Sequence, residues 1–145
     1  MTQTPTLQVR IRSITFETDS ILGFELVPLP PAQQLPAFTA GAHIDLHLDT
    51  AGGPLVRSYS LLNNPAETHR YCIGVHRDPN SRGGSRHMHE ALRPGSVLTI
   101  GEPCNNFPLD ESAPFNVFIA GGIGIAPVLG MIERSQALGT PWRLH

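Results

Sequence analysis

Residues 44–49 read Ile-Asp-Leu-His-Leu-Asp, a strict alternation of apolar and polar side chains. Because successive side chains of a strand point to opposite faces, this pattern predicts a β-strand with one buried face and one polar face. Short apolar runs bounded by turn residues recur at 21–27, 55–61, 71–75 and 97–100. Between Leu7 and Phe16 the alternation changes phase after Ile11, which predicts a bulge or bend in the first strand.

Six strands at these intervals predict a mainly β fold, a six-stranded antiparallel Greek-key barrel, because closure removes exposed strand edges. One helix is predicted within this part, from about Ser85 to Leu92, with Ser85 suited to the N-cap position. Met88 and Leu92 lie at helical spacing on its apolar face, and Arg93-Pro94-Gly95 ends it.

The character of the sequence changes after Pro114. Residues 115–120 form a short, mostly apolar run, and a glycine turn follows at 121–124. A helix is then predicted with Pro127 in its first turn and Gly139-Thr140-Pro141 at its end. Its apolar side is predicted to carry Val128, Met131, Ile132 and Leu138, and residues 142–144 open another strand. The sequence therefore predicts two parts, residues 1–112 and 113–145, the second being the first βα unit of an α/β domain. A lone βα unit cannot bury both faces of a parallel strand, so we expect the sequence to be cut from a longer protein.

Composition narrows the function. Of 145 residues, 40% are hydrophobic and 15% charged, the formal net charge is −2, and no basic run is present, so we expect no nucleic-acid partner. Residues 1–10 lack the pattern of a signal peptide, and the longest apolar stretch, 117–126, is too short for a membrane span. Cys72 and Cys104 are expected to be reduced thiols in a cytoplasmic protein without membrane contacts.

Two segments have the chemistry of a ligand site. Arg57-Ser58-Tyr59-Ser60 closes a predicted strand and offers a guanidinium fork for a phosphate, a flat aromatic face and small hydroxyl donors. Arg82-Gly83-Gly84-Ser85 precedes the helix, and its glycines allow close approach to a ligand. Arg57 and Arg82 converging on one phosphate is the sharper hypothesis. The alternatives are a surface arginine beside a strand tyrosine, and a plain capped helix after a loop.

Other features are weaker signals. The turn at Gly121, Gly122 and Gly124 fails the GxGxxG pattern, because Pro127 stands at the third glycine position. Residues 101–107 read as a rigid loop able to cover a ring, or equally as a linker. The seven histidines are interpreted as surface or packing residues, and no metal site is predicted.

At these residues the chain resembles the ferredoxin–NADP reductase superfamily. Residues 57–60 are similar to its flavin-binding RxYS motif, and residues 73–77 and 82–85 resemble the next two flavin-contacting segments in order. Residues 119–127 are similar to the segment that opens the superfamily's NAD(P)H domain. The 82–85 segment and the 105–110 stretch look most like the phthalate dioxygenase reductase and vanillate demethylase reductase group. Cys104 stands where that group often has an arginine.

The resemblance implies a role for each motif residue. Arg57, Arg82 and Ser85 would bind the flavin phosphate. Gly83 and Gly84 would lie beside the phosphate, and Ser58 belongs to the same RxYS motif as Arg57. Tyr59 would pack on the flavin, and Ser60 would be the catalytic contact near its reactive nitrogen. Gly74 and Val75 would supply main-chain contacts to the flavin, whereas Gly121, Gly122 and Gly124 would approach the nicotinamide nucleotide.

The same resemblance implies an NAD(P)H-dependent flavin oxidoreductase that contains FMN, with FAD as the alternative, and takes electrons from NADH. The partner would be a terminal oxygenase component of the Rieske type or a ferredoxin, reached through a [2Fe–2S] centre only if a downstream domain exists. Two other interpretations stay open: the first half of an FAD-dependent reductase of the flavohaemoglobin or siderophore type, and a non-catalytic barrel that binds a ligand or protein.

Overall fold

The structure is a computed structural model that describes residues 4–145. Residues 1–3, part of the stretch considered above for a signal peptide, lie outside the described residues. None of the helices between residues 4 and 145 is long and apolar enough to cross a membrane.

Six antiparallel strands form one sheet, which confirms the predicted fold class. The strands are β1 (Thr6–Thr18), β2 (Ile21–Pro28), β3 (His43–Thr50), β4 (Gly53–Ser60), β5 (Tyr71–His76) and β6 (Val97–Gly101). Their order across the sheet is β4-β3-β6-β1-β2-β5, so β6 returns to lie between β3 and β1 as in a Greek key. Alternate side chains of β3 point inward, and Ile44, Leu46 and Leu48 lie fully inside the core.

The phase change in the first strand is confirmed as irregular pairing. The β1–β2 register shifts between Ile11 and Ser13 and again between Phe16 and Thr18. An extra residue on one strand bends it and increases its twist, which curls the sheet around the core.

The sheet curls into a half-barrel whose edges are β4 and β5. Among the described residues these two edges form no ladder. Hydrogen bonds join them just past the end of β4, where the Leu62 N–H donates to the Cys72 carbonyl at 2.9 Å and the Asn63 side chain also bonds the chain of β5. The opening that remains between β4 and β5 is called the seam below. One helix, α1 (Gly84–Glu90), packs over β3, β4 and β5 at the seam, with Met88 as its buried apolar side chain.

The start of α1 corrects one prediction. Its N-cap residue is Gly83, with φ +114°, a left-handed conformation that glycine adopts without the cost a side chain would bring. Ser85 therefore lies inside the helix and makes no capping bond; its Oγ accepts a hydrogen bond from the Asp78 N–H at 3.1 Å.

The rest of the chain forms a β-α-β unit. Strands β7 (Asn116–Phe118) and β8 (Trp142–Leu144) pair in parallel, and a short 3-10 helix (Gly122–Ile125) and α2 (Ala126–Leu138) connect them. Pro127 lies in the first turn of α2 and Gly139 ends it at φ +72°, as predicted. Leu138 was expected on the buried face of α2, but it is 42% exposed because it lies in the last turn, beyond the core that Val128 and Met131 form.

Helix α2 packs against the half-barrel through a glycine. A Cβ on Gly130 would lie 3.4 Å from the Asn63 carbonyl oxygen, so the helix backbone comes directly onto the segment that follows β4. Ala40, from the loop before β3, also joins the small core of Phe118, Val128 and Met131. The two parts of the chain therefore share packed surface.

Candidate functional site

Strand β4 divides the Arg-Ser-Tyr-Ser motif between its two faces. Arg57 and Tyr59 point toward α1, whereas Ser58 and Ser60 point to the opposite side, because side chains alternate along a strand. The four residues therefore line two different cavities rather than one.

The cavity on the α1 side, called the arginine cavity below, has a volume of about 420 Å³. The structure brings Arg57, Tyr59, Arg82 and Ser85 together in its wall. The remaining lining residues come from the loop before α1 and are Asp78, Asn80 and Ser81.

With two arginines and one aspartate in its wall, the arginine cavity has a net positive charge. Among residues 4–145, neither Arg57 nor Arg82 forms an ion pair with a carboxylate. Arg57 Nη1 donates to its neighbour's carbonyl, that of Val56, at 2.8 Å, which leaves its other guanidinium donors available. The acidic residue in the wall, Asp78, accepts from the Asn80 N–H at 2.8 Å. Two guanidinium groups in one cavity suit a doubly charged anion.

Tyr59 stays protonated beside these arginines. Its burial raises the pKa of the phenol, and the nearby Arg57 charge lowers it by less, so the net shift is upward. The hydroxyl therefore remains a neutral hydrogen-bond donor at ordinary pH.

Gly84 gives Arg57 its position. A Cβ on Gly84 would lie 2.9 Å from Cγ of Arg57, closer than real Cβ atoms approach, and a tight 3.1 Å from its Nε. Only a glycine at the first position of α1 lets the arginine side chain cross the helix start.

The two serines face a second cavity of about 380 Å³, lined by Gly41, His43, Ser58, Ser60, Asn106, Phe107 and Pro127. The Ser58 hydroxyl is already engaged, since it donates to the Asp45 carboxylate. No side-chain hydrogen bond of Ser60 is found among the described residues, so its hydroxyl is available. The loop at 105–107 borders this cavity and is fixed there by Asn105, whose amide donates to Thr39 Oγ1 at 2.7 Å and to the Ala40 carbonyl at 2.9 Å.

The main chain of β5 presents Gly74, and not Val75, to the seam. The Cys72 carbonyl points to Leu62 across the seam, and main-chain groups two residues apart on a strand share a direction, so those of Gly74 point there too. The main-chain groups of Val75 point the other way, toward β2, as do those of Arg77, whose N–H donates to the Ser20 carbonyl. Of the two residues expected to give main-chain contacts to a flavin, Gly74 therefore faces the seam and Val75 faces β2.

Of the glycines in the turn before α2, Gly122 lines a cavity together with Gly74 of the seam, whereas Gly121 and Gly124 do not. Gly122, together with Ile123 and Gly74, lines a third cavity of about 400 Å³ between the outer face of β1, β2 and β5 and the start of α2. Gly121 and Gly124 lie outside that lining, and a Cβ on either would meet nothing within 4 Å. Cys104 is also remote from the arginine cavity, because its main chain pairs with His43.

Two side chains near the site were missed from the sequence. His89 Nε2 lies 2.7 Å from the Val75 carbonyl oxygen, and the buried Asn63 accepts from the Cys72 N–H at 2.9 Å while donating to the Arg70 carbonyl at 3.1 Å. The spacing of four between Ser85 and His89, which puts them on one helix face, was the available signal. Within residues 4–145, no group of three or more His, Cys, Asp or Glu side chains could hold a metal ion.

Comparison with known proteins shows which proteins the chain is similar to. No family model matches the chain. It is 52% identical over 139 residues to the phenoxybenzoate dioxygenase subunit beta of Ectopseudomonas oleovorans, and 46% identical over 139 residues to the vanillate O-demethylase oxidoreductase of Acinetobacter baylyi. Each alignment covers 96% of the chain and 42% of the relative. The homologues of this chain are reductases of the phthalate dioxygenase and vanillate demethylase type.

The solved structure of phthalate dioxygenase reductase agrees with this assignment. It superposes with a TM-score of 0.88 at 38% identity, covering 96% of this chain and 42% of that protein. The half-barrel thus has the ferredoxin reductase-like flavin-binding domain fold. The chain spans less than half the length of the dioxygenase reductase-type relatives it matches.

Proposed function

We propose that this chain is the flavin-binding part of an NADH-dependent reductase component that supplies electrons to an oxygenase. The arginine cavity carries the proposal: Arg57, Arg82, Tyr59 and Ser85 meet in one cavity at the seam, with no carboxylate paired to either arginine in the described chain. Within this proposal, residues 1–112 form the flavin-binding domain and residues 113–145 begin a domain that binds the pyridine nucleotide.

The donor set fits the phosphate of FMN. A terminal phosphate carries close to two negative charges, and two guanidinium groups plus the Ser85 hydroxyl offer matched donors. The Ser85 oxygen accepts from the Asp78 N–H, so its own proton remains free to donate. The phosphate of FAD is bridged and each unit carries one charge, which makes FMN the better match.

The residues around the seam orient the flavin. Tyr59 offers an aromatic face with its hydroxyl protonated, and the main-chain N–H and C=O of Gly74 face the seam. The free Ser60 hydroxyl is the proposed contact to the reactive part of the ring, approached from the opposite face of β4. When bound, the flavin accepts two electrons as a hydride and releases them singly. Gly122 lines the same cavity as Gly74, and a Cβ on it would meet nothing within 4 Å, so its backbone is open to a nicotinamide ring.

The electron donor and acceptor are proposed from the relatives. The solved phthalate dioxygenase reductase is described as a modular structure for electron transfer from pyridine nucleotides to [2Fe-2S]. By analogy we propose NADH as the donor and a [2Fe–2S] centre, outside the 145 residues, as the next carrier to a Rieske-type oxygenase component or a ferredoxin.

The test is flavin binding by the purified chain. We expect a visible flavin spectrum after reconstitution with FMN, and mass spectrometry of the cofactor released by heat should show FMN. Released FAD would contradict the choice of cofactor and favour the FAD-dependent reductase interpretation. Absence of binding to either flavin would contradict the proposed function and leave the non-catalytic barrel.

A further inference from the structure

A hydrogen bond that flavin binding does not use attaches α1 to β5. His89 Nε2 lies 2.7 Å from the carbonyl oxygen of Val75, and the imidazole is partly buried between the helix and the strand. A carbonyl oxygen only accepts, so Nε2 carries the proton and donates it in this bond.

Helix α1 depends on such contacts for its position. It has seven residues, fewer than an isolated helix needs to be stable, and no side chain caps its start. Met88 is its buried apolar anchor, and one anchor leaves a helix free to rotate and slide. The ion pair between Arg77 and Glu90 is half-exposed on both sides, and exposed pairs contribute little.

Two polar contacts on one face of α1 remove that freedom. Ser85 and His89 are four residues apart, so they lie one above the other on the helix. Ser85 bonds the Asp78 main chain and His89 bonds the Val75 main chain, which fixes both ends of the helix to the end of β5 and the loop after it.

The same helix sets the geometry of the arginine cavity. Gly84 lies against the Arg57 side chain, and Ser85 lies in the cavity wall with Arg82. A movement of α1 away from β5 would therefore separate Ser85 from Arg57, although His89 forms its side-chain hydrogen bond with Val75 rather than with either of them.

We propose that His89 is a positioning residue for the phosphate of the bound flavin, acting through Ser85 and Gly84 by holding α1 on the Val75 carbonyl. This inference rests on the proposed function. It predicts an effect on the phosphate end of the ligand and none on the ring end, because Tyr59, Ser60 and Gly74 belong to the strands.

The experiment compares FMN with riboflavin, which has the same ring and no phosphate. Dissociation constants for both are measured by quenching of flavin fluorescence with the wild-type chain, His89→Leu, His89→Gln and the control His87→Leu. His87 lies on the same helix, and its side chain makes no hydrogen bond to any described residue. Glutamine keeps an N–H donor of similar reach, whereas leucine does not.

We expect His89→Leu to weaken FMN binding about three- to tenfold, the range that follows from losing one hydrogen bond. Riboflavin affinity should stay within twofold of wild type, His89→Gln should recover most of the FMN affinity, and His87→Leu should behave as wild type.

The other outcomes separate the two proposals. If wild type binds FMN and His89→Leu binds it equally well, the role of His89 is refuted and the proposed function stands. An equal loss for FMN and riboflavin, or no recovery in His89→Gln, would show a general structural role and also refute the positioning role. If wild type binds no flavin, the proposed function falls and this inference falls with it.

Discussion

The Arg57 side chain occupies the space that a side chain on Gly84 would need, because a Cβ on Gly84 would lie 2.9 Å from Arg57 Cγ. Strand β4 and helix α1 are thereby matched to each other next to the arginine cavity, whose wall includes Arg57. The glycine and the arginine cannot be changed independently.

Gly84→Ala should therefore act on Arg57 rather than on the helix. Alanine favours helix, so α1 itself should not suffer, but the new methyl group must push the arginine away. We expect FMN affinity to fall by about tenfold, the cost of one misplaced charged contact. Gly52→Ala is the control, because a Cβ there meets nothing closer than Thr50 Oγ1 at 3.9 Å. Equal affinities in the two variants would contradict the matched geometry.

Reversing the charge of Arg57 should affect flavin binding more strongly. A charge-assisted contact to phosphate contributes roughly 1.5–3 kcal/mol, so Arg57→Glu should weaken FMN binding by tenfold or more. Arg93→Glu makes the same charge change at an exposed position outside the arginine cavity. The FMN affinity of both folded variants is measured by fluorescence titration. Wild-type affinity in Arg57→Glu would contradict a contact between Arg57 and the flavin phosphate.

Much of the fold followed from local sequence patterns, whereas contacts across the seam did not. The phase change after Ile11 predicted the irregular pairing of β1, and Pro127 and Gly139 marked the ends of α2, because each signal acts within a few residues. The alternation that divides Tyr59 from Ser60 was equally local and predictable. By contrast, Ser85 has an N-cap side chain, but the left-handed φ of Gly83 starts the helix earlier. The contact of His89 with Val75 depends on the packing of α1 over β5, which no local pattern contains.

Gly41→Ala should destabilise the protein strongly. Gly41 has φ +94°, and a Cβ there would overlap the Phe107 carbonyl oxygen and lie 2.8 Å from Met131 Cε. Gly95 has the same φ of +94° with nothing within 4 Å, so Gly95→Ala measures the backbone strain alone, about 1–2 kcal/mol. Denaturant unfolding should show a larger loss for Gly41→Ala, by roughly 1–3 kcal/mol, the usual cost of overpacking. Equal losses would show that the loop at 105–107 yields freely.

The two thiols should react at different rates. Burial raises the pKa of the Cys72 thiol to about 11, while Cys104 is exposed. Since the thiolate is the reacting species, iodoacetamide at pH 8 should modify Cys104 first. Modification of Cys72 should speed up as pH rises toward 11, because the thiolate fraction grows through that range. Peptide mass spectrometry follows both sites, and rapid modification of Cys72 in folded protein at pH 8 would contradict its burial.

The flavin-loaded chain should be a poor oxidant of NADH. A dinucleotide lies across the carboxyl ends of several parallel strands, and here β7 and β8 supply two strands of three residues each. Hydride transfer needs the nicotinamide held close to the flavin, and such positioning lowers the activation free energy by several kcal/mol. In anaerobic stopped-flow, dithionite should reduce the flavin while NADH does so slowly. The Acinetobacter baylyi vanillate O-demethylase oxidoreductase is the comparison, and a similar NADH rate in both proteins would refute this expectation.

The seam between β4 and β5 also bears on whether molecules of this chain associate with one another. As far as residues 4–145 show, it leaves main-chain donors and acceptors of β4 and β5 without strand partners, and exposed edges are the templates on which one sheet adds to another. A flavin in the seam would cover both edges at once. Flavin binding would then affect the association of the chain as well as its redox chemistry. Chains without flavin should self-associate, and flavin-bound chains should remain monomeric.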